Sequence, residues 1–297
     1  MNFKEELTNR VQQIEEIIFS MLPREEGLQK QVIEAMRYSV MAGGKRLRPM
    51  LMWEAYRSFG KEDEKVYPFM AALEYVHNYS LVHDDLPAMD NDEYRRGRKT
   101  THVVYGEDIA ILAGDALLNY AYETIAKAMQ DTAVDPGMIR AFGIFAKKAG
   151  IFGMVGGQSV DVVNENNNTD MGLSDILFIH ENKTAALIEC ALMCGAALAG
   201  ANDEQIAMME KVGSNIGLAF QIQDDILDAT GSFEELGKPI GSDEKNQKAT
   251  YLSLEGMDKS KEDVEGLSKE AVDILKNVPQ RNEFLEELVM SLVARRS

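Results

Sequence analysis

The chain has 297 residues, 45% of them hydrophobic and 27% charged; this is ample material for a large packed core and excludes an intrinsically disordered chain. Its 31 basic and 49 acidic side chains leave a formal charge of −18, a field that repels nucleic acid and anionic lipid. The two cysteines, Cys190 and Cys194, cannot build a disulfide framework, and their i, i+4 spacing in an alanine-rich run predicts core packing.

The N-terminus, MNFKEELTNRVQQIEEIIF, is charged and amphipathic and lacks the parts of a secretory signal. The nearest approach to an apolar span, Ala185 to Ala201, contains Glu189 and many small residues and reads as a buried helix. A cytoplasmic protein without membrane insertion is expected. Apolar residues recur at helical spacing almost throughout. They predict helices at 2–21, 28–43, 47–59, 65–86, 106–129, 136–160, 173–199, 202–229, 245–256, 262–276 and 281–294. Long helices with short connections pack as a bundle, and helix 173–199, nearly uncharged after Lys183, should lie at its centre. No stretch shows strand-like alternation flanked by hairpin turns. Breakers fall at 22–27, 43–44, 60, 131–137, 164–172 and 231–241, none resembling an interdomain linker. The expectation is one all-α domain over residues 1–297.

Two acidic clusters each follow a long apolar helix. In Asp224-Asp225-Ile226-Leu227-Asp228, positions 224 and 228 are one turn apart and share a face, with Gln221 three residues earlier on the same side. Neighbouring carboxylates at a buried helix end must be solvated, protonated or bound to a cation. A set of hard oxygen ligands favours Mg²⁺ or its relatives. The other cluster runs Asp84-Asp85-Leu86-Pro87-Ala88-Met89-Asp90-Asn91-Asp92. A regular helix would put Asp90 about 240° round from Asp84. Pro87 disfavours helix at Leu86, so the helix must end or bulge there, which could return Asp90 to the same side. The spacing does not fit an EF-hand.

Basic residues concentrate beside these acids: Arg95-Arg96-Gly97-Arg98-Lys99 directly after the first cluster, Gly43-Gly44-Lys45-Arg46-Leu47-Arg48-Pro49 before it, and Lys183, Lys238 and Lys248 later. Arg46, Arg98 and Lys99 can be read simply as solvated or acid-neutralising. The set as a whole fits an anion held by metal on one side and by guanidinium and ammonium groups on the other, and a diphosphate meets that description. Neither a Walker A loop nor a GxGxxG occurs, so ATP and dinucleotide chemistry gain no support.

Taken in order, GGKRLRP, the DDxxxxD region continued by RRG, the LxGD at Leu112–Asp115, the GGQ at Gly156–Gln158, Lys183-Thr184, QxxDDxxD and GKPxGSD resemble the short-chain trans-isoprenyl diphosphate synthases, most of all the bacterial farnesyl diphosphate synthases. The motifs span residues 43 to 250. The resemblance implies an isoprenoid synthase-type bundle of about ten or more helices around a central cavity, normally a homodimer. It implies that Asp84 and Asp90, with Asp85 in support, and Asp224 with Asp225 and Asp228 nearby, hold three Mg²⁺ ions, Mn²⁺ being the alternative metal. It implies that Arg95, Lys183, Lys238 and Lys248 grip the allylic diphosphate, and that Lys45, Arg48, His77 and Arg96 form the isopentenyl diphosphate pocket. Thr184 and Gln221 would face developing positive charge beside the allylic carbon. The partners implied are isopentenyl, dimethylallyl and geranyl diphosphates. His77 lies seven residues before Asp84, within about 20° on one helix face, which agrees. The 231–241 segment, with Lys238 inside it, is expected to act as a lid.

An aromatic at Tyr79, with the two-residue insertion in the first motif, resembles a C15-stopping pattern. Geometry alone does not select it: Tyr79 is about 140° round from Asp84, whereas Ser80 is within about 40°. The expected activity is sequential condensation to farnesyl diphosphate. Rival readings are a geranylgeranyl diphosphate synthase, a non-catalytic prenyltransferase subunit, which would usually lose an aspartate motif, and a terpene cyclase, which has no use for an isopentenyl pocket.

Overall fold

The computed structural model describes residues 2–131, 133, 135–167, 171–230 and 249–293. The chain is an all-α bundle. Its first helices are α1 (Phe3–Ser20), α2 (Lys30–Val40), α3 (Leu47–Ser58) and α4 (Tyr67–Asp84), the last entered through a 3-10 turn at Glu64–Val66. A small hairpin, β1 (Tyr94–Arg95) and β2 (Arg98–Lys99), precedes α5 (Thr101–Tyr105) and α6 (Glu107–Asp131). Then come α7 (Pro136–Ala149), α8 (Met154–Asn167), α9 (Leu173–Ile179), a π-helical stretch at His180–Ala185, and α10 (Ala186–Leu198). The chain continues through α11 (Asp203–Thr230), α12 (Tyr251–Glu255), α13 (Met257–Leu275) and α14 (Glu283–Val293).

Every residue of α10 is buried, and the helix is packed by α3, α7 and α11. This is the centre expected from its uncharged sequence. Cys190 and Cys194 lie fully buried on it as free thiols. α4 packs along α6, and α13 along α11. Buried Glu54 on α3 ties the chain ends together: Arg10 of α1 and Arg57 pair with it, and Asn282, beside the start of α14, donates to it at 2.8 Å. Among the described residues no helix is long and apolar enough to cross a membrane.

Beyond an unexpected short helix at Thr101–Tyr105 and an earlier start for α13, three departures from the periodicity reading have local causes. The expected helix 136–160 is two helices, because a side chain at Gly153 would meet the Lys148 carbonyl at 2.1 Å and the backbone turns where none is present. The expected helix 173–199 is continuous but widens to a π-helix at 180–185. The hairpin was not expected. Its strands are two residues each, too short for a period to register, and its turn is Arg96-Gly97, with φ of 53° and 73°. Two successive positive φ values are what a tight antiparallel turn demands. Residues 245–248 of the expected helix 245–256 lie outside the described residues.

Candidate active site

The first acidic cluster sits where α4 stops. Past Asp84 the chain turns back: the Asp90 amide donates to the Asp84 carbonyl at 2.8 Å, and the Asn91 amide to the Leu86 carbonyl at 3.1 Å. The break expected at Pro87 thus folds Asp90 back over the end of the helix. Asp84 is partly buried and accepts from Gln158 Nε2 of α8 at 2.7 Å. Burial raises its carboxyl to about 6, with Asp90 and Asp85 adding to the rise, and Lys183 and Arg95 opposing it. Asp85 and Asp90 are also raised, again chiefly by burial. Three proximate carboxyls that all resist ionisation, with oxygen donors only, make a set that a divalent cation would relieve. The donor chemistry therefore fits Mg²⁺. Among the described residues no three His, Cys, Asp or Glu groups are already gathered as a ligand cage.

The hairpin delivers the cations. Arg95 on β1 donates to Asp85 Oδ1 through Nε at 2.7 Å and Nη2 at 2.6 Å, and reaches Asp92 at 3.5 Å. At the turn, Arg96 donates to the Gly43 carbonyl, and its guanidinium lies where a Gly44 side chain would be, 2.6 Å from that Cβ position. Gly43 and Gly44 have φ of 84° and 145°, values that favour glycine. This explains the paired glycines before Lys45, which is itself exposed. Arg46 is buried and structural. It bonds Glu15 at 3.0 Å, Glu74 at 2.7 Å and the Val40 carbonyl at 2.7 Å, the acid-neutralising role open to it. Arg98 donates to the Met41 carbonyl at 3.3 Å and stacks on Tyr38.

Arg48 Nη1 donates to His77 Nε2 at 3.3 Å. Burial, then the Arg48 charge and three further arginines, push the imidazole well below its usual range, so it is neutral and accepts through Nε2. Burial also lowers Arg48 to about 10, with Glu74 opposing and Arg96 assisting. Arg48, His77 and Arg96 are thus one electrostatic group.

Across from α4, the π-helical stretch carries Lys183 and Thr184. Lys183 Nζ donates to buried Asp161 at 2.5 Å, and Thr184 Oγ1 to Gln221 Oε1 of α11 at 2.5 Å. α11 also bears Asp224, Asp225 and Asp228 near its end; Asp225 accepts from the Tyr251 amide at 2.9 Å, anchoring α12. The stretch is tightly seated: a Cβ on Gly217 of α11 would lie 2.3 Å from the Ala185 Cβ. Tyr79 is buried, its ring edge-on to His83 at 5.8 Å, and burial, with Tyr122 and Asp84, pushes its phenol up to about 12. The Ser80 hydroxyl folds onto the His77 carbonyl at 2.9 Å. Lys238, Lys248 and the expected lid at 231–241 lie outside the described residues.

Sequence reasoning did not assign Gln158 or Asp161, although both make direct contacts to expected site residues. The signal was the GGQ motif, which was noted without a role.

A helical bundle that brings carboxylates and cations together at the ends of its long helices defines the class of the all-α isoprenoid synthases. The model of the polyprenyl synthetase family matches residues 29–290, and the chain belongs to that family of short-chain prenyltransferases. It is 48% identical over 261 residues to the chloroplastic geranylgeranyl pyrophosphate synthase of Catharanthus roseus, covering 88% of this chain and 71% of that one. It is 41% identical over 276 residues to the farnesyl diphosphate synthase of Micrococcus luteus, covering 93% of each. Among solved structures, it matches the geranyltransferase of Helicobacter pylori complexed with magnesium and isoprenyl diphosphate, with a TM-score of 0.81 at 30% identity, covering 99% of this chain and 97% of that one.

Proposed function

We propose that the chain joins isopentenyl diphosphate to dimethylallyl diphosphate and then to geranyl diphosphate, stopping at (E,E)-farnesyl diphosphate. The observation that carries the condensation reading is the polar chain across the site: Asp84 to Gln158, Lys183 to Asp161, and Thr184 to Gln221. Asp84 and Asp90, and across the site Asp224 and Asp228, would hold Mg²⁺, in keeping with the magnesium in the Helicobacter pylori complex. When bound, the ions neutralise charge that gathers on the departing diphosphate.

The chain's own groups do the rest. Arg95 and Lys183 are occupied by Asp85 and Asp161, and each exchanges its carboxylate for a diphosphate oxygen on binding. Lys238 and Lys248 belong to the same grip. Lys45, Arg48, His77 and Arg96 hold isopentenyl diphosphate, the neutral imidazole steering the Arg48 guanidinium. The Thr184 and Gln221 oxygens face the allylic carbon as positive charge develops. The buried lining excludes water from the cation.

Support for a C15 stop is the buried Tyr79 ring five residues before Asp84. Geranylgeranyl diphosphate is the second reading, favoured by the Catharanthus roseus relative. Incubation with isopentenyl and dimethylallyl diphosphates and Mg²⁺, followed by chromatography of the dephosphorylated products, is expected to give farnesol; geranylgeraniol as the main product would overturn the C15 assignment, and no prenol at all the condensation itself.

A homodimer belongs to the same proposal. Val104 of α5 and Ile111 and Leu112 of α6 are each exposed, Leu112 to 50%, and a second copy of the chain packed there would cover them.

A further inference from the structure

α8 reaches both walls of the site. Gly157 abuts the backbone of the π-helical stretch: a Cβ there would lie 2.2 Å from the Lys183 nitrogen and 2.6 Å from the Asn182 carbonyl carbon. The next residue, Gln158, donates to Asp84 Oδ1 on the opposite wall at 2.7 Å. Asp161, a turn further on, holds Lys183 Nζ. Residues i, i+1 and i+4 of a helix share half its circumference, so these contacts come from one face.

The Gln158 amide is informative in its own right. Its Oε1 is buried and has no hydrogen-bond partner among the described residues. The group cannot be reversed, because its carbonyl would then face an anionic carboxylate. A buried amide that leaves its acceptor unsatisfied while its donor engages Asp84 is held for the sake of that donor. The Gly157 contact is equally specific, since only a residue without a side chain lets α8 approach the Lys183 backbone.

We propose that the Gly157–Gln158 face of α8 is a positioning element for the reaction, Gln158 fixing the Asp84 carboxylate for its metal and Gly157 seating the π-helical stretch so that Lys183 and Thr184 face it across a set distance. The inference rests on the reading of Asp84 as a metal ligand. Neither residue touches substrate; each acts through another group. Outer hydrogen bonds of this kind commonly tune metal affinity 10–100-fold.

Gln158→Met keeps the length of the side chain and removes the donor. In the full-length protein, calorimetric titration with Mg²⁺ in the presence of inorganic pyrophosphate is expected to show binding weakened about 10-fold. In steady-state assays kcat is expected to fall about 10–100-fold, with the KM for isopentenyl diphosphate and the melting temperature nearly unchanged. Gly157→Ala is expected to lower kcat without altering Mg²⁺ binding to the same degree, because it moves the opposite wall. Unaltered Mg²⁺ affinity and kcat in Gln158→Met would overturn the proposal, and that variant decides the matter if Gly157→Ala does not fold. Asp84→Asn separates the two levels: if it retains turnover, the metal reading itself fails; if it is inactive while Gln158→Met matches the wild type, only the positioning role fails.

Discussion

At the scale of single residues, the site holds groups in states that folding alone does not favour. Asp84 has a carboxyl raised from its ordinary 3.8 to about 6. A carboxyl whose folded pKa lies above its unfolded one binds its proton more tightly in the folded chain. Its contribution therefore improves stability as pH falls from above 6 towards 4, and that gain disappears as pH rises through 6. Without metal at pH 7.5 the ionised group strains the fold, and Asp84→Asn is expected to stabilise the protein by about 1–2 kcal/mol after discounting for partial solvent screening. The same change is expected to lower turnover by orders of magnitude. Thermal melts of metal-free protein at pH 5 and 7.5, with parallel assays, check both; a variant that is no more stable at pH 7.5 removes the strain. His77 works in the opposite direction. Its imidazole is depressed by burial and the arginines around it, so stability is whole above about 6.5 and falls as pH drops below that, where the unfolded imidazole gains a proton. His77→Gln is expected to flatten the loss between pH 7 and 5, as followed by urea midpoints; an unchanged slope would mean that the ring is not kept neutral. The Asp84–Asp90 return was legible because proline forbids the straight helix. The Gln158 contact was not, since the GGQ motif marks the residue but an uncharged glutamine in a helix gives no sign of which group it meets.

At the scale of elements, most helices could be read from apolar spacing, and the exceptions lie where backbone approach, rather than side-chain pattern, decides the structure. The widening at 180–185 follows from no local propensity in His-Glu-Asn-Lys-Thr-Ala; it coincides with helices that press in through Gly157 and Gly217. The hairpin that carries Arg95 and Arg96 likewise depends on a two-residue turn, and only its Arg96-Gly97 pair hints at it. Glycines of the two kinds should therefore respond oppositely to alanine. Gly266, exposed in the middle of α13 with open space at its Cβ position, is expected to gain about 0.5–1 kcal/mol on Gly266→Ala. Gly217→Ala is expected to lose about 1–3 kcal/mol, because its methyl enters the Ala185 position. Denaturant midpoints of the two variants test the contrast, and a stable Gly217→Ala would show that the π-helical stretch is not clamped.

At the scale of the molecule, the proposed dimer face and the site share α6. It bears exposed Ile111 and Leu112, and it also supports the end of α4: His83, the residue before Asp84, donates through Nε2 to the Ile111 carbonyl at 3.1 Å. His83 fits there because Gly114 has no side chain; a Cβ would lie 2.1 Å from that nitrogen. A second copy packed on α6 would hold this support in place. The chain's charge of −18 acts against association, since two copies repel at low ionic strength and only apolar contact offsets that. Leu112→Asp adds a charge at the most exposed of these apolar positions. It is expected to shift the protein to monomer in sedimentation velocity, more completely at low salt, and to lower kcat several-fold while circular dichroism stays helical. A monomer with full turnover would separate assembly from catalysis, and an unchanged dimer would place the second copy on another face.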